Sequence, residues 1–230
     1  MNVALVSVGD ELLSGDTVNT NATWLGARLS ERGSSVERVT VLPDRIADIA
    51  RVINEYAAEY DAVITTGGLG PTHDDRTMEA VAAAVGRDLE TSEPALEWLA
   101  EEGGYARSDL TDGTADLPAD ARPLHNTVGV APGCVVENIY VLPGVPSEMK
   151  AMFDSIAEEF DGQKRHVVSV TLEEPESTLV GRLRELEERF GVKVGSYPGE
   201  NVRVKIESTD RAAVEEAAAW LRKNGSEAPE

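Results

Sequence analysis

Asp61-Ala62-Val63-Ile64-Thr65-Thr66-Gly67-Gly68-Leu69-Gly70-Pro71-Thr72-His73-Asp74-Asp75-Arg76-Thr77 joins a short β-branched run to a glycine cluster and then to an alanine-rich helical pattern. The spacing predicts a strand over 61–66, a tight turn, and a helix over 75–85 that closes near Gly86. The same order occurs twice upstream. Val3 to Val8 reads as a strand buried on both faces, and Asn21 to Arg32 as a helix carrying Trp24, Leu25, Ala27 and Leu29 with a stop at Gly33. Val36 to Leu42 is a second strand, and Asp44 to about Glu59 a helix with Ile46, Ile49, Val52 and Ile53 on one stripe. Three consecutive strand–helix repeats predict an α/β fold, a parallel sheet with helices on its faces.

Downstream the pattern is less regular. Ser92 to Glu101 reads as a helix with Ser92 as N-cap and Glu93-Pro94 in the first turn. Residues 103–120 read as a polar loop with a short helix. Gly133 to Glu137 and Ile139 to Leu142 read as a hairpin around Asn138, followed by a helix from Pro146 to Phe160. Asp161-Gly162-Gln163 breaks the pattern, so a ligand-binding domain is expected over 1–162. Residues 163–225 predict a small α+β domain: a strand from Arg165 to Leu172, a helix from Glu174 to Phe190, a hairpin of Val192 to Tyr197 and Val202 to Glu207, and a last helix capped by Asp210 and ending near Lys223. The βαββα order is followed by a flexible tail at 226–230.

The 230 residues are 41% apolar, 27% charged and 5% aromatic, which excludes a disordered chain. No apolar run approaches the roughly twenty residues of a membrane span. Met1 to Val8 lacks a basic leader and is cut short by Gly9-Asp10-Glu11, so a cytoplasmic protein without a signal peptide is expected. The single cysteine, Cys134, excludes an internal disulfide and reads as core. There are 42 acidic against 21 basic residues, a net charge of −21. Such a surface repels nucleic acid and anionic membranes. Its carboxylates are spread along the chain rather than gathered in a tail, the pattern of adaptation to high salt.

In an open parallel sheet, ligands bind beyond the carboxyl ends of the strands. Three loops lie there. Gly67, Gly68 and Gly70 allow backbone N–H groups to approach an anion, and the helix that follows adds its dipole. Asp74 and Asp75 beside that cradle suit a divalent cation bridging to phosphate, although acidic residues also favour helix N-termini for local reasons. The first loop, Gly9 to Asn21, repeats the theme with Asp10, Glu11 and Asp16, and Thr20 or Asn21 is expected to cap the next helix. The third, Pro143-Gly144-Val145-Pro146-Ser147-Glu148, fixes the backbone with two prolines and opens a helix. Together the loops describe a cleft for a phosphorylated small molecule with a metal ion. His73 reads as a polar loop residue before a catalytic one, and His125 and His166 have no partner that the sequence identifies.

These loops resemble the signatures of the MoaB/Mog molybdopterin-binding family. Thr65 to Ala80, Gly9 to Gly15, Asn126 to Gly133 and Pro143 to Met149 are most similar to its CinA-like branch (competence/damage-inducible protein A). The resemblance covers residues 1 to about 160, and the tail looks like the small domain that follows in CinA-like proteins. It implies a three-layer α/β/α domain that binds a pterin or adenine nucleotide, with a divalent metal (Mg, Mn or Co). In Mog-type relatives the site adenylylates molybdopterin; in CinA-type relatives it is linked to metal-dependent hydrolysis of ADP-ribose or a similar dinucleotide pyrophosphate. The implied catalytic residues are Asp75 and Asp74, and the implied metal ligands Asp75 and Asp10. The implied ligand contacts are Gly9, Asp10 and Glu11 in the first loop, Gly67, Gly68, Gly70, Pro71, Thr72 and Thr77 in the second, and Gly144, Pro146 and Ser147 in the third.

Two departures bear on activity. The family's Asp-Thr-Asn reads Asn19-Thr20-Asn21 here, which removes a carboxylate from the metal site or passes its role to Asp10 or Asp16, and favours the alternative of a non-catalytic nucleotide- or pterin-binding module. Adenylylating relatives carry a basic residue where Asp74 stands, so the resemblance favours nucleotide pyrophosphatase activity over pterin adenylylation. The nicotinamide-nucleotide amidase domain of longer relatives has no counterpart in these 230 residues, so deamidation is not expected. Relatives associate as dimers or trimers, and the resemblance implies a homo-oligomer.

Overall fold

The computed structural model describes every residue except Pro71, His73, Asp74, Ser108, Asp109, Lys164, Pro229 and Glu230. The chain divides into two compact units, Met1–Gly162 and Gln163–Glu230. The first unit runs β1 (Asn2–Val8), α1 (Asp10–Ser14), α2 (Thr20–Glu31), β2 (Ser35–Leu42), α3 (Ile46–Glu59), β3 (Ala62–Thr66), α4 (Thr77–Ala84), β4 (Leu89–Thr91), α5 (Glu93–Glu101), β5 (Asp116–Pro118), β6 (Arg122–Leu124), β7 (Gly133–Val136), β8 (Ile139–Leu142) and α6 (Pro146–Ile156). Its main sheet has the order β2-β1-β3-β8-β7-β6, parallel from β2 to β8 and antiparallel beyond.

Successive strand side chains point to opposite faces, and both faces here are covered. Val3 and Leu5 of β1, Ile64 of β3 and Leu142 of β8 pack with Leu25 of α2 and Phe153 of α6. Val6 and Val8, Val63 and Val141 pack on the other side with Ile49 and Ile53 of α3 and Val81 of α4. The result is a three-layer α/β/α domain, and it explains why β1 carries apolar residues on both of its faces. Phe153 anchors one layer, with the Trp24 ring edge-on at 5.6 Å and Phe160 stacked at 5.5 Å. Cys134 is fully buried in the other layer, and burial pushes its thiol up to about 12.

Several expectations are corrected. Helix α2 starts at Thr20, and its N-cap is Asn19, whose side chain accepts from the Ala22 N–H at 3.1 Å; neither Thr20 nor Asn21 caps it. Helix α4 starts at Thr77, two residues later than the alanine pattern implied. The 103–120 segment ends in strand β5, which pairs antiparallel with β4. Strands of three residues show no period in sequence, and only the ladder between them defines them. The helix expected from Pro146 to Phe160 is α6 followed by a 3₁₀ turn over Ala157–Phe160.

The second unit runs β9 (His166–Leu172), α7 (Glu176–Phe190), β10 (Lys193–Tyr197), β11 (Val202–Ser208) and α8 (Arg211–Asn224), with an antiparallel sheet of order β10-β11-β9. Val170, Val204 and Ile206 alternate inward against Leu179 and Leu186 of α7 and Leu221 of α8. Asp210 caps α8 through the Ala212 and Ala213 N–H groups. Before α7, the Arg182 guanidinium donates to both carboxylate oxygens of Glu174, and the Ser226 N–H donates to Oε1 at 2.6 Å. Arg182 first, then Ser226, hold the Glu174 carboxyl down at about 2. Among the described residues, no helix is long and apolar enough to cross a membrane.

Two outcomes follow. Phe153→Ala, which removes the ring shared by α2 and α6, lowers unfolding free energy by about 3–5 kcal/mol in urea titrations. Glu174 is more acidic folded than unfolded, so its contribution is present above the ordinary carboxylate range and lost as pH falls through about 2. The stability gap between wild type and Glu174→Gln, followed by thermal unfolding, is therefore widest near neutrality and closes as pH falls toward about 2.

Candidate functional site

Strands β1, β3 and β8 are neighbours, so the loops that leave their carboxyl ends lie side by side. The junction is tight. Gly67 has φ 101°, and a Cβ there would stand 2.3 Å from the Val8 carbonyl oxygen. Its N–H donates to the Leu142 carbonyl at 3.2 Å, and a Cβ on Gly144 would lie 3.2 Å from the Gly67 Cα. Gly68 has φ 65°, and a Cβ there would meet Thr77 Oγ1 at 2.3 Å. Both positions need left-handed backbone and close approach at once, which only glycine combines.

A cleft of about 540 Å³ opens over this junction. Gly9 and Glu11 line it from the first loop, Gly67, Gly68 and Gly70 from the second, and Gly144 and Pro146 from the third. Asp75 lies at its edge with its carboxylate turned back on the loop. The Thr72 N–H donates to Asp75 Oδ2 at 3.1 Å, the Thr72 hydroxyl donates to the same oxygen, and the Asp75 N–H returns a bond to the Thr72 carbonyl at 3.0 Å. This carboxylate closes the glycine turn instead of capping α4, whose N-cap position is Arg76. Gly70 leaves room for it, since a Cβ there would stand 2.5 Å from Asp75 Oδ2 and the carboxylate would have to shift.

Other expected contacts fall elsewhere. Asp10 is exposed at the start of α1 and does not line the cleft; its N–H donates to Asp44 Oδ2 at 2.9 Å, and Asp44 is the aspartate that lines this corner. Ser147 is exposed on α6 outside the lining, where Glu148 takes its place. Thr77 is fully buried beneath Gly68, with its hydroxyl lacking a partner. Asp74, Pro71 and His73 lie outside the described residues. His125 stacks on Trp98 at 4.7 Å, and burial lowers its pKa.

The sequence reading named Asn19, Asn21 and Asn126 within their motifs but not what their side chains hold. Asn19 caps α2 and also donates to Ser7 Oγ at 3.0 Å, so an asparagine amide there has two local jobs that a carboxylate cannot do together. Asn21 donates to the Gly144 carbonyl at 2.7 Å, tying α2 to the third loop, and leaves its Oδ1 without a partner. Asn126, 2% exposed, donates to Glu148 Oε2 at 2.6 Å and the Ala131 carbonyl at 3.0 Å, and accepts from the Val128 and Gly129 N–H groups. It thereby fixes Val130 and Ala131 in the cleft wall.

The electrostatics are one-sided. Glu11, Asp44, Asp75 and Glu148 line the cleft, and among the described residues no lysine, arginine or histidine does. Among those residues no group of three or more His, Cys, Asp or Glu stands close enough to hold a metal ion by itself.

The fold and its glycine-built cleft define an α/β/α ligand-binding domain with its site at the carboxyl edge of a parallel sheet. Residues 4–162 match the family described as probable molybdopterin binding domain, and residues 164–228 match the FAD synthase middle domain. The chain belongs to this molybdopterin-binding domain family of MoaB/Mog type, in its CinA-like branch. A protein of Pyrococcus furiosus is 39% identical over 247 residues, covering 99% of this chain and 98% of its own. One of Archaeoglobus fulgidus is 36% identical over 219 residues, covering 94% and 95%. The crystal structure of the protein CinA, of unknown function, from Thermoplasma acidophilum is 38% identical with a TM-score of 0.64, covering 69% of this chain and 97% of that one. The two family matches indicate a nucleotide-related function.

Gly67→Ala and Gly86→Ala separate backbone strain from crowding. Both sit at positive φ, but nothing lies within 4 Å of a Cβ on Gly86. Gly86→Ala costs about 1–2 kcal/mol in urea unfolding, and Gly67→Ala costs more because the Val8 carbonyl cannot yield.

Proposed function

We propose that this cleft hydrolyses a nucleotide pyrophosphate, with ADP-ribose as the representative substrate, in a metal-dependent reaction. The observation that carries the reading is a glycine-backed cleft with four carboxylates and no basic side chain among its described residues. An anionic ligand gains little there from side chains and needs a cation to offset the carboxylates. The donor set is all oxygen, which suits magnesium or manganese, and cobalt to a lesser degree. Magnesium is commonly held by one or two carboxylates together with substrate phosphates, so a three-ligand protein cage is not required. Asp44 is the residue that would hold it, with the substrate phosphates completing the shell and Asp75 beside it. When bound, the ion would neutralise phosphoryl oxygens and lower the pKa of an attacking water.

The chain's own residues have distinct parts. The backbone at Gly68 and Gly70 cradles the pyrophosphate above the Gly67 junction, and Asn21 fixes the facing loop through Gly144. Thr72 pins Asp75 Oδ2, leaving Oδ1 to orient the water and accept its proton. The water oxygen bonds to phosphorus while the bridging phosphorus–oxygen bond breaks, giving AMP and ribose 5-phosphate. A pterin-binding role is the second reading, favoured by the description of the family that covers residues 4–162.

With ADP-ribose in high salt and magnesium, manganese or cobalt, wild-type protein is expected to release AMP, and Asp75→Asn to lose turnover by about 100-fold or more. Folded wild type that yields no product with any of the three metals sinks the hydrolase reading. Pterin fluorescence retained through purification would then support the second.

A further inference from the structure

Charge is not spread evenly between the two units. Residues 1–162 hold 29 acidic and 10 basic side chains, whereas residues 163–230 hold 13 and 11, so the second unit is nearly neutral in a chain of net charge −21. Its sheet has α7 and α8 on one face, where Val170, Val204 and Ile206 point. The other face carries the alternate residues of each strand, and among the described residues of this unit no helix covers it. Across it Lys193 stands opposite Glu207, Gly195 opposite Lys205, and Tyr197 opposite Arg203. The three strands carry one carboxylate, Glu207, and three cations crowd it: Lys205 Nζ at 2.8 Å, Arg165 Nη1 at 3.2 Å and Lys193 Nζ at 3.5 Å. Arg203 instead lies over the Tyr197 ring, its guanidinium carbon 5.0 Å from the centroid. That ring lies across Gly195, since a Cβ there would stand 3.2 Å from Tyr197 Cε2 and Oη. Four cations against one carboxylate leave the face basic. Tyr197 and, on the flanking strand, Val167 are each 46% exposed on it.

We infer that this basic sheet face docks on the carboxylate-rich first unit of a second copy of the chain, in a two-fold dimer with two reciprocal contacts. The chain supplies the complementary surface itself, since residues 1–162 carry 19 more acidic than basic side chains. Area argues for reciprocity. Strands of five to seven residues, about 4.8 Å apart, make a face of roughly 14 by 20 Å. One contact of that size buries about 600 Å² over both surfaces, too little for a stable complex. A second, related by a two-fold axis, brings the total to about 1,200 Å², the lower end of the stable range. A lone acidic peptide gains no such second contact. A nucleic acid strand meets the same cations but also the field of the acidic first unit, which nothing in that complex offsets. Tyr197 and Arg203 are of the residue types that anchor interfaces, and their ring contact orders both side chains in advance. The inference does not depend on what the cleft binds.

The test is sedimentation and zero-length carbodiimide cross-linking of the intact chain, with light and heavy-nitrogen protein mixed in equal parts. High salt is used, because it screens the repulsion between like-charged copies while ion pairs in direct contact persist. Wild type is expected to sediment as a dimer and to give light–heavy links from Lys193 or Lys205 to carboxylates within residues 1–162. Lys193→Glu combined with Arg203→Glu, both at exposed positions, is expected to raise the dimer dissociation constant by about 10-fold or more, and Tyr197→Ala to raise it as well. Circular dichroism checks that each variant is folded. Arg184→Glu combined with Arg189→Glu makes the same charge change on α7, on the other side of the sheet, and is expected to leave the dimer unchanged. A monomeric wild type, a dimer whose light–heavy links omit both sheet lysines, or equal weakening by the α7 pair overturns the inference. So does monomeric protein that binds a single-stranded oligonucleotide through Arg203, which assigns the face to phosphates instead.

Discussion

The close approach at Gly67 is the constraint on which the site depends. Three chain segments meet there: the Val8 carbonyl from β1, the Leu142 carbonyl from β8, and the Gly144 backbone from the loop after β8. A side chain at 67 would push the ends of three adjacent parallel strands apart. With glycine in place, the loops close into one concave surface, and the backbone itself forms its floor. The left-handed turn through Gly67 and Gly68 also returns the chain over Thr77, so the start of α4 is fixed by the same contact.

The surface that results is polar and acidic, and its small polar groups are mostly occupied with one another. Thr72 and Asp75 brace the glycine turn, Asn21 holds Gly144, and Asn126 donates from its amide nitrogen to Ala131 and Glu148 while its oxygen accepts from the Val128 and Gly129 N–H groups. These bonds pre-organise the cleft at little entropic cost when a ligand arrives. The carboxylates are different, since nothing basic among the described lining residues offsets them. In so acidic a chain the surrounding field adds to the same problem, and salt or a bound cation is the physical remedy.

Reading the sequence gave the strands, most helices and the loops that bear the site, because those depend on apolar period and on glycine. It placed Gly9, Glu11, Gly70 and Gly144 at a cleft that they do line. It went astray where a short polar side chain chooses among near-equivalent partners. Asn19, not Thr20 or Asn21, caps α2; Asp75 bonds backward to Thr72; and Asp44, thirty-four residues from Asp10, supplies the lining carboxylate at that corner. Strands β4 and β5 were invisible for a related reason, since each is three residues long and is defined only by the other.

What the sequence by itself determined was therefore the layered α/β architecture, the sheet edge at which the cleft opens, and the glycine turn that forms its floor. These follow from local rules: strand and helix periods, and the steric freedom of glycine. The tertiary structure alone decided which polar groups build the walls, that Asp10 and Ser147 stand outside the cleft, and that a second cavity, with Tyr105 in its lining, adjoins the first. Those outcomes depend on distances between residues far apart in the chain, and a one-dimensional pattern carries no measure of them.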